Sequence, residues 1–289
     1  MAVTMLMYGR TGSGKTTQLG MMIEHVYKTM KKKSRICTAD QGGYDTIRPY
    51  EELGLAEIIP LNDTDPWVWA HKVSTGHSRD KDGKWVLDQA KLGELGFVAF
   101  ESAQAIAAGF KEDMEQNNLG GDTASSFEKR SDGEALKIQT TKGFQKFAVP
   151  QSRILRTMYN SFKLPVDYVM WTAGASKDDD DLGNNKIVGP DVLGKALTGV
   201  LPQIFNYTFR IDVIPASVGK APSHVLYLGT HQDLNAGNAT ALGNIRRPLD
   251  ALPLPKLTIE PANIVQALAM VRDEAQKQAQ DAIRKRLGL

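Results

Sequence analysis

Cysteine, net charge, long apolar runs and internal repeats are all scarce in these 289 residues, and each scarcity closes off a class of protein. Cys37 is the one cysteine, which excludes an internal disulfide and a cysteine-built zinc centre and suits a reducing compartment. It falls within Arg35-Ile36-Cys37-Thr38-Ala39 and reads as a small core residue, not a nucleophile. The formal net charge is +2, so the chain is no polycation, and any affinity for nucleic acid has to come from a local basic surface. No stretch approaches the ~18 consecutive apolar residues that a membrane span needs. The N-terminus runs directly into an apolar strand pattern, so no signal peptide is expected. The sequence also lacks an Asn-Lys-x-Asp segment, which favours adenine over guanine at any nucleotide site. What remains is an expected soluble cytoplasmic chain, 42% apolar, with enough material for a substantial core.

What is present is concentrated near the start. Gly9-Arg10-Thr11-Gly12-Ser13-Gly14-Lys15-Thr16 matches GxxxxGK[ST], with apolar Met5–Tyr8 before it. After it, Leu19, Met22, Ile23, Val26 and Met30 recur at helical spacing. Strand, glycine-rich turn and helix in that order predict a site where backbone N–H groups and a helix N-terminus cradle phosphates. Lys15 is expected to reach the β- and γ-phosphates, Thr16 to ligate Mg²⁺ through its hydroxyl, and Thr17 to complete the cradle. The expected ligand and cofactor are ATP and Mg²⁺.

Further strands are predicted near Arg35–Ala39, Glu57–Leu61, Gly96–Phe100, Val166–Thr172, Tyr207–Val213 and Val225–Thr230. Helices are predicted from Asp65-Pro66, over Gln151–Phe162, around Val192–Leu201, and from Pro261 to about Leu287. The alternation predicts an α/β fold, a mostly parallel central sheet flanked by helices, with the chemistry at the strands' C-terminal ends. Residues 76–85 read as a polar connection with an Asp82-Gly83 turn, 112–145 as a polar insertion or lid, and 174–189 as a loop bearing Asp178–Asp181. The Lys31–Lys33 run suits a helix C-terminus. An organisation of one domain over 1–255 and a C-terminal helix over 256–289 follows.

Glu101 follows the apolar run Gly96–Phe100, the place for an acid that holds the metal or its water. Asp40 ends the second strand and stands equally as an activator of water or as a helix cap. Thr172 ends the Val166–Thr172 strand and is either a γ-phosphate sensor or a plain strand residue. Trp171 and Tyr168 read as core, and the four aspartates read first as a solvated loop.

In this order the elements resemble the RecA-like ATPase core, most closely the small phage-encoded RecA-like ATPases of single-strand-annealing and recombinase type, over residues 1 to about 250. The resemblance implies ATP hydrolysis in DNA recombination or annealing, in a phage-infected or lysogenic bacterial cytoplasm. It places the catalytic acid at Asp40 in Thr38-Ala39-Asp40, and a Walker B acid at Glu101 in Phe97–Ser102. It places adenine contacts in Tyr44–Tyr50, with Tyr44 and Arg48 as candidates. By the same resemblance, a single-stranded-DNA loop falls at Gly174–Lys195. Arg246 and Arg247 then reach a neighbouring subunit's nucleotide in a homo-oligomer, against the plainer reading of a solvated arginine pair.

Three departures weaken the DNA side of this reading. Thr172-Ala173 stands where the family carries a coupling amide. The aspartate run repels phosphates. Only eight residues precede the phosphate loop, so no N-terminal polymerisation segment is expected. The rival expectation is a nucleotide-switched assembly factor that hydrolyses ATP weakly and docks a phage protein. A small-molecule kinase is a weaker third, since the 112–145 segment offers only Lys129-Arg130 as lid cations.

Overall fold

The computed structural model describes residues 2–61, 65–116, 128–129, 135–136, 145–179, 185–193, 195–216, 221–228, 231–232, 239–240, 244–245 and 258–287. The chain opens with β1 (Val3–Tyr8), α1 (Lys15–Met30), β2 (Lys33–Thr38), α2 (Gln41–Glu52), β3 (Ala56–Pro60) and α3 (Pro66–Ser74). A small hairpin, β4 (Ser78–Arg79) and β5 (Trp85–Val86), then α4 (Gln89–Gly93), leads to β6 (Leu95–Glu101) and α5 (Ala103–Gln116). The pair β7 (Glu128–Lys129) and β8 (Ala135–Leu136) precedes α6 (Gln145–Ser161). There follow β9 (Tyr168–Asp179), β10 (Asn185–Asp191), α7 (Lys195–Thr198), α8 (Leu201–Ile204), β11 (Tyr207–Ile214) and β12 (Ser223–Tyr227). Short pairs complete the order: β13 (His231–Gln232) with β14 (Ala239–Thr240), then β15 (Asn244–Ile245), β16 (Thr258–Ile259) and α9 (Ile264–Leu287).

The main sheet runs β16-β12-β11-β1-β9-β6-β2-β3. From β11 to β3 every neighbouring pair is parallel, while β12 and β16 add antiparallel strands at one edge. Strand β9 therefore lies between the strand that feeds the phosphate loop and the strand that ends in Glu101. This is the expected α/β class, a mostly parallel central sheet flanked by helices, with a C-terminal helix.

Alternation along each strand divides the core in two. Leu6, Tyr8, Val98, Phe100, Val169 and Trp171 pack with Trp69, Val73, Ile106, Phe110, Ile154 and Met158 of α3, α5 and α6. Met5, Met7, Ile36, Phe97, Met170 and Phe209 face the other way, onto Leu19, Ile23 and Val26 of α1 and Ile264, Ala267 and Val271 of α9. Each large side chain so buried contributes roughly 1.5–3 kcal/mol, so the two layers fix the strand ends firmly. Trp171 is core, as expected: its ring stacks on Phe100 at 4.4 Å and its Nε1–H donates to Ser161 Oγ at 3.1 Å.

Four sequence expectations are corrected. Residues 174–179 and 185–191 are not a loop, because β9 continues past Gly174 and turns into an antiparallel pairing with β10. Residues 112–116 finish α5 and residue 145 starts α6, so the expected insertion is shorter at both ends. Within the lysine run, Lys31 caps α1 in a left-handed conformation, Lys32 pairs with Asp167 at 2.7 Å, and Lys33 begins β2. The expected Val192–Leu201 helix is two short helices, α7 and α8. The Pro248–Pro255 segment, Asp180–Asp181 and most of the 112–145 insertion lie outside the described residues.

Candidate functional site

The turn between β1 and α1 is shaped by residues that only glycine can replace. Gly12 and Gly14 take φ of +77° and +91°, a left-handed backbone that any side chain would strain. Gly14 is also the N-cap of α1, and no side chain caps that helix. Its first N–H groups thus point out of the helix toward the turn. At Gly9 the constraint is contact: a Cβ there would lie 2.1 Å from the Ile211 carbonyl oxygen of β11. The Lys15 ammonium spans the loop, donating to the carbonyl oxygens of Gly9 and Arg10, both at 2.9 Å. Burial lowers its pKa, and the negative charges of Asp40 and Glu101 oppose that shift.

Parallel register brings the acids alongside. Thr38 is the register partner of Glu101 across β2 and β6, and Phe100 is that of Trp171 across β6 and β9. Glu101 is the last residue of β6 and is 2% exposed. One carboxylate oxygen accepts from Thr16 Oγ1 at 2.5 Å and the other from Thr38 Oγ1 at 3.0 Å. Burial raises its pKa, against the lowering effect of the two hydroxyls and Lys15. Immediately after it, Ser102 turns the chain with φ of +67°, and its N–H donates to Thr172 Oγ1 at 2.9 Å.

A cavity of about 360 Å³ joins these parts, lined by Thr11, Gly12, Gly14 to Thr17, Asp40, Thr46, Glu101, Ser102, Gln104, Thr172 and His224. Asp40 is exposed at its rim and caps α2, accepting from the Gly42 N–H at 3.0 Å. The cap reading is therefore realised, and the carboxylate also stands at the cavity. Arg10 flanks the loop, and Ser13 is buried beneath it with an oxygen that makes no hydrogen bond.

Tyr44 and Arg48, the expected adenine contacts, lie on α2 and do not line this cavity. α2 turns Tyr44 to donate to Glu51 at 3.0 Å, and Arg48 pairs with Glu52 at 3.2 Å. Arg246 and Arg247 lie outside the described residues.

Two cavity residues, Gln104 and His224, were missed in the sequence, as was Thr38, which donates to the Glu101 carboxylate from behind. Thr38 carries a signal, a hydroxyl at a strand end two residues before the acid Asp40. Gln104 supplies an amide from the first turn of α5, accepting from the Gly174 N–H at 2.6 Å. His224 comes from β12, a strand whose position over the loop no local pattern announces.

The donor set suits Mg²⁺. A hydroxyl and one buried carboxylate are hard oxygen ligands, and this ion is usually held by one or two carboxylates together with substrate phosphates. Among the described residues no cluster of three or more His, Cys, Asp or Glu forms a self-sufficient metal cage. A positive-φ glycine loop, an uncapped helix N-terminus, a half-buried ammonium and a hydroxyl–carboxylate pair give this turn the build of a phosphate-binding loop.

No protein-family model matches the chain, and no curated protein matches it. Among solved structures it is similar to a KaiC-like protein from the hyperthermophilic archaeon Pyrococcus horikoshii OT3. That match has a TM-score of 0.40 and 12% identity, over 84% of this chain and 82% of the other. Among the described residues no helix is long and apolar enough to cross a membrane.

Proposed function

We propose that the chain is a Mg²⁺-dependent ATPase. The observation that carries this reading is the direct 2.5 Å bond between Thr16, in the first turn after the loop, and Glu101, two strands away. In this reading Lys15 leaves the Gly9 and Arg10 carbonyls for the β- and γ-phosphates, while the loop N–H groups hold the remaining oxygens. Thr16 and Glu101 would hold Mg²⁺, which would supply positive charge to offset the negative charge of the phosphates. Asp40, fixed by its cap bond, takes the proton of the attacking water as the bond between the γ-phosphorus and the bridging oxygen breaks and ADP leaves. Thr172 positions this edge by holding Ser102. An arginine of Arg246 or Arg247, supplied by a neighbouring copy, is proposed to complete the charge stabilisation.

The physiological role proposed first is phage DNA recombination or single-strand annealing as an oligomer, which rests on the sequence resemblance. A second reading, a nucleotide-switched assembly factor with a protein client, is favoured by the β9–β10 hairpin. Asp178 and Asp179 lie on it and pair in register with Lys186 and Asn185, an arm that carries acids where phosphate binding calls for bases.

ATP turnover with and without single-stranded DNA, at low and moderate salt, separates the two. Salt-sensitive stimulation is the result expected for a DNA client, and indifference to DNA supports the second reading. Wild-type turnover by Lys15→Ala overturns the ATPase mechanism itself.

A further inference from the structure

We infer that His224 is the residue that receives the nucleoside half of the ligand; the assignment rests on the Mg²⁺-nucleotide reading and deepens it. Glu101 lies on β6, two strands to one side of β1, and His224 lies on β12, two strands to the other. At ~4.8 Å per strand the two positions are roughly 19 Å apart along the sheet edge, with the phosphate loop between them. The metal-binding pair and Asp40 occupy the β6–β2 side, which orients the terminal phosphate in that direction. A nucleotide held at the loop therefore extends its sugar and base toward β11 and β12.

The imidazole is already oriented for a ligand. Its Nδ1 lies 2.9 Å from the Ser13 carbonyl oxygen, and a carbonyl only accepts, so Nδ1 carries the hydrogen. In the neutral ring Nε2 is then an acceptor, the one ring nitrogen left to meet a ligand from a residue that lines the cavity. An acceptor suits a ribose hydroxyl or a base amino group and opposes a phosphate oxygen. The ring is also braced from behind. The His224 carbonyl accepts from Ala262 N–H at 2.7 Å, and Gln18 of α1 bonds both Ala262 O and the Ile264 N–H at the start of α9. A side chain at Gly14 would be strained by its φ of +91° and would crowd this flank, its Cβ 3.2 Å from Nδ1.

The test uses the full chain with Mg²⁺ and two probes, ATP and inorganic tripolyphosphate, in calorimetric titrations. His224→Asn keeps a short donor for Ser13 and removes the acceptor at the Nε2 position. His224→Gln restores an acceptor there. The expected result is ATP affinity weakened roughly three- to ten-fold in the Asn variant, the size of one net hydrogen bond, with partial rescue in Gln. Tripolyphosphate affinity is expected to stay within two-fold of wild type in both, while Lys15→Met loses both probes. An Asn variant that binds ATP like wild type overturns the assignment. So does equal weakening of the two probes, which would make His224 a support for the loop alone. If wild type binds neither probe, the nucleotide reading itself is overturned, and the assignment with it.

Discussion

Replacing Glu101 by glutamine keeps the shape of the site and removes its charge, so it isolates what that charge costs the fold. In wild type the carboxylate is buried and held by the hydroxyls of Thr16 and Thr38. In Glu101→Gln the amide oxygen accepts from one hydroxyl and the NH₂ donates to the other, so both contacts persist as neutral bonds. Exchanging two charge-assisted bonds for neutral ones loses about 1 kcal/mol each, some 2 kcal/mol in all. Releasing a buried carboxylate from its desolvation penalty returns several kcal/mol. The raised pKa of Glu101 has burial as its largest cause, so the second effect outweighs the first.

The variant is therefore expected to be more stable than wild type at neutral pH by on the order of 1 kcal/mol. The pH dependence follows from the same shift. Because the folded pKa lies above the ordinary 4.5, the folded state holds the extra proton between those two values. The stability gained by taking up that proton is complete below 4.5 and is lost as pH rises through the folded pKa. Urea denaturation near pH 7.5 and near pH 4.5 should show the gap between variant and wild type closing at the lower pH. A Glu101→Gln protein less stable than wild type at pH 7.5 would refute the reasoning, because the carboxylate would then be a net support of the fold.

Gly9→Ala forces a methyl to within 2.1 Å of a β11 carbonyl that cannot swing aside, so a loss of about 1–3 kcal/mol in urea denaturation is expected. Gly12→Ala meets open space and strains only φ, and should cost about 1–2 kcal/mol while leaving the β1–β11 pairing intact by amide hydrogen exchange. Thr172→Val orphans the Ser102 N–H and is expected to lose roughly 1–3 kcal/mol, with Thr172→Ser restoring most of it. An unchanged urea midpoint in Thr172→Val would show that the Ser102 turn does not depend on that hydroxyl.

The phosphate loop was legible because its chemistry is local: eight consecutive residues carry the turn, the cation and the metal hydroxyl. The buried strands were legible too, since Leu95–Glu101 and Val3–Tyr8 are short apolar runs with no competing helical period. Helix α2 was not, since Gly42, Gly43 and Pro49 are poor helix formers. Tertiary contact explains that composition: a Cβ on Gly43 would fall 2.8 Å from the Glu101 carboxylate, so the site itself requires the glycine. The β9–β10 hairpin was hidden by its polarity, since its sequence shows no apolar alternation. Thr38 reaches Glu101, and Gln104 and His224 reach the cavity, through strand order and register, and a single sequence carries neither. Tyr44 and Arg48 sit on α2, where they bond Glu51 and Glu52.

The most direct measurement is a calorimetric titration of ATP with Mg²⁺ into the pure chain and into Lys15→Met. The account predicts uptake by wild type at one site per chain. Removing the Lys15 ammonium should weaken it by about 1.5–3 kcal/mol, roughly 10- to 150-fold, the worth of a hydrogen bond to a charged group. No uptake by wild type, or equal affinity in Lys15→Met, would contradict it.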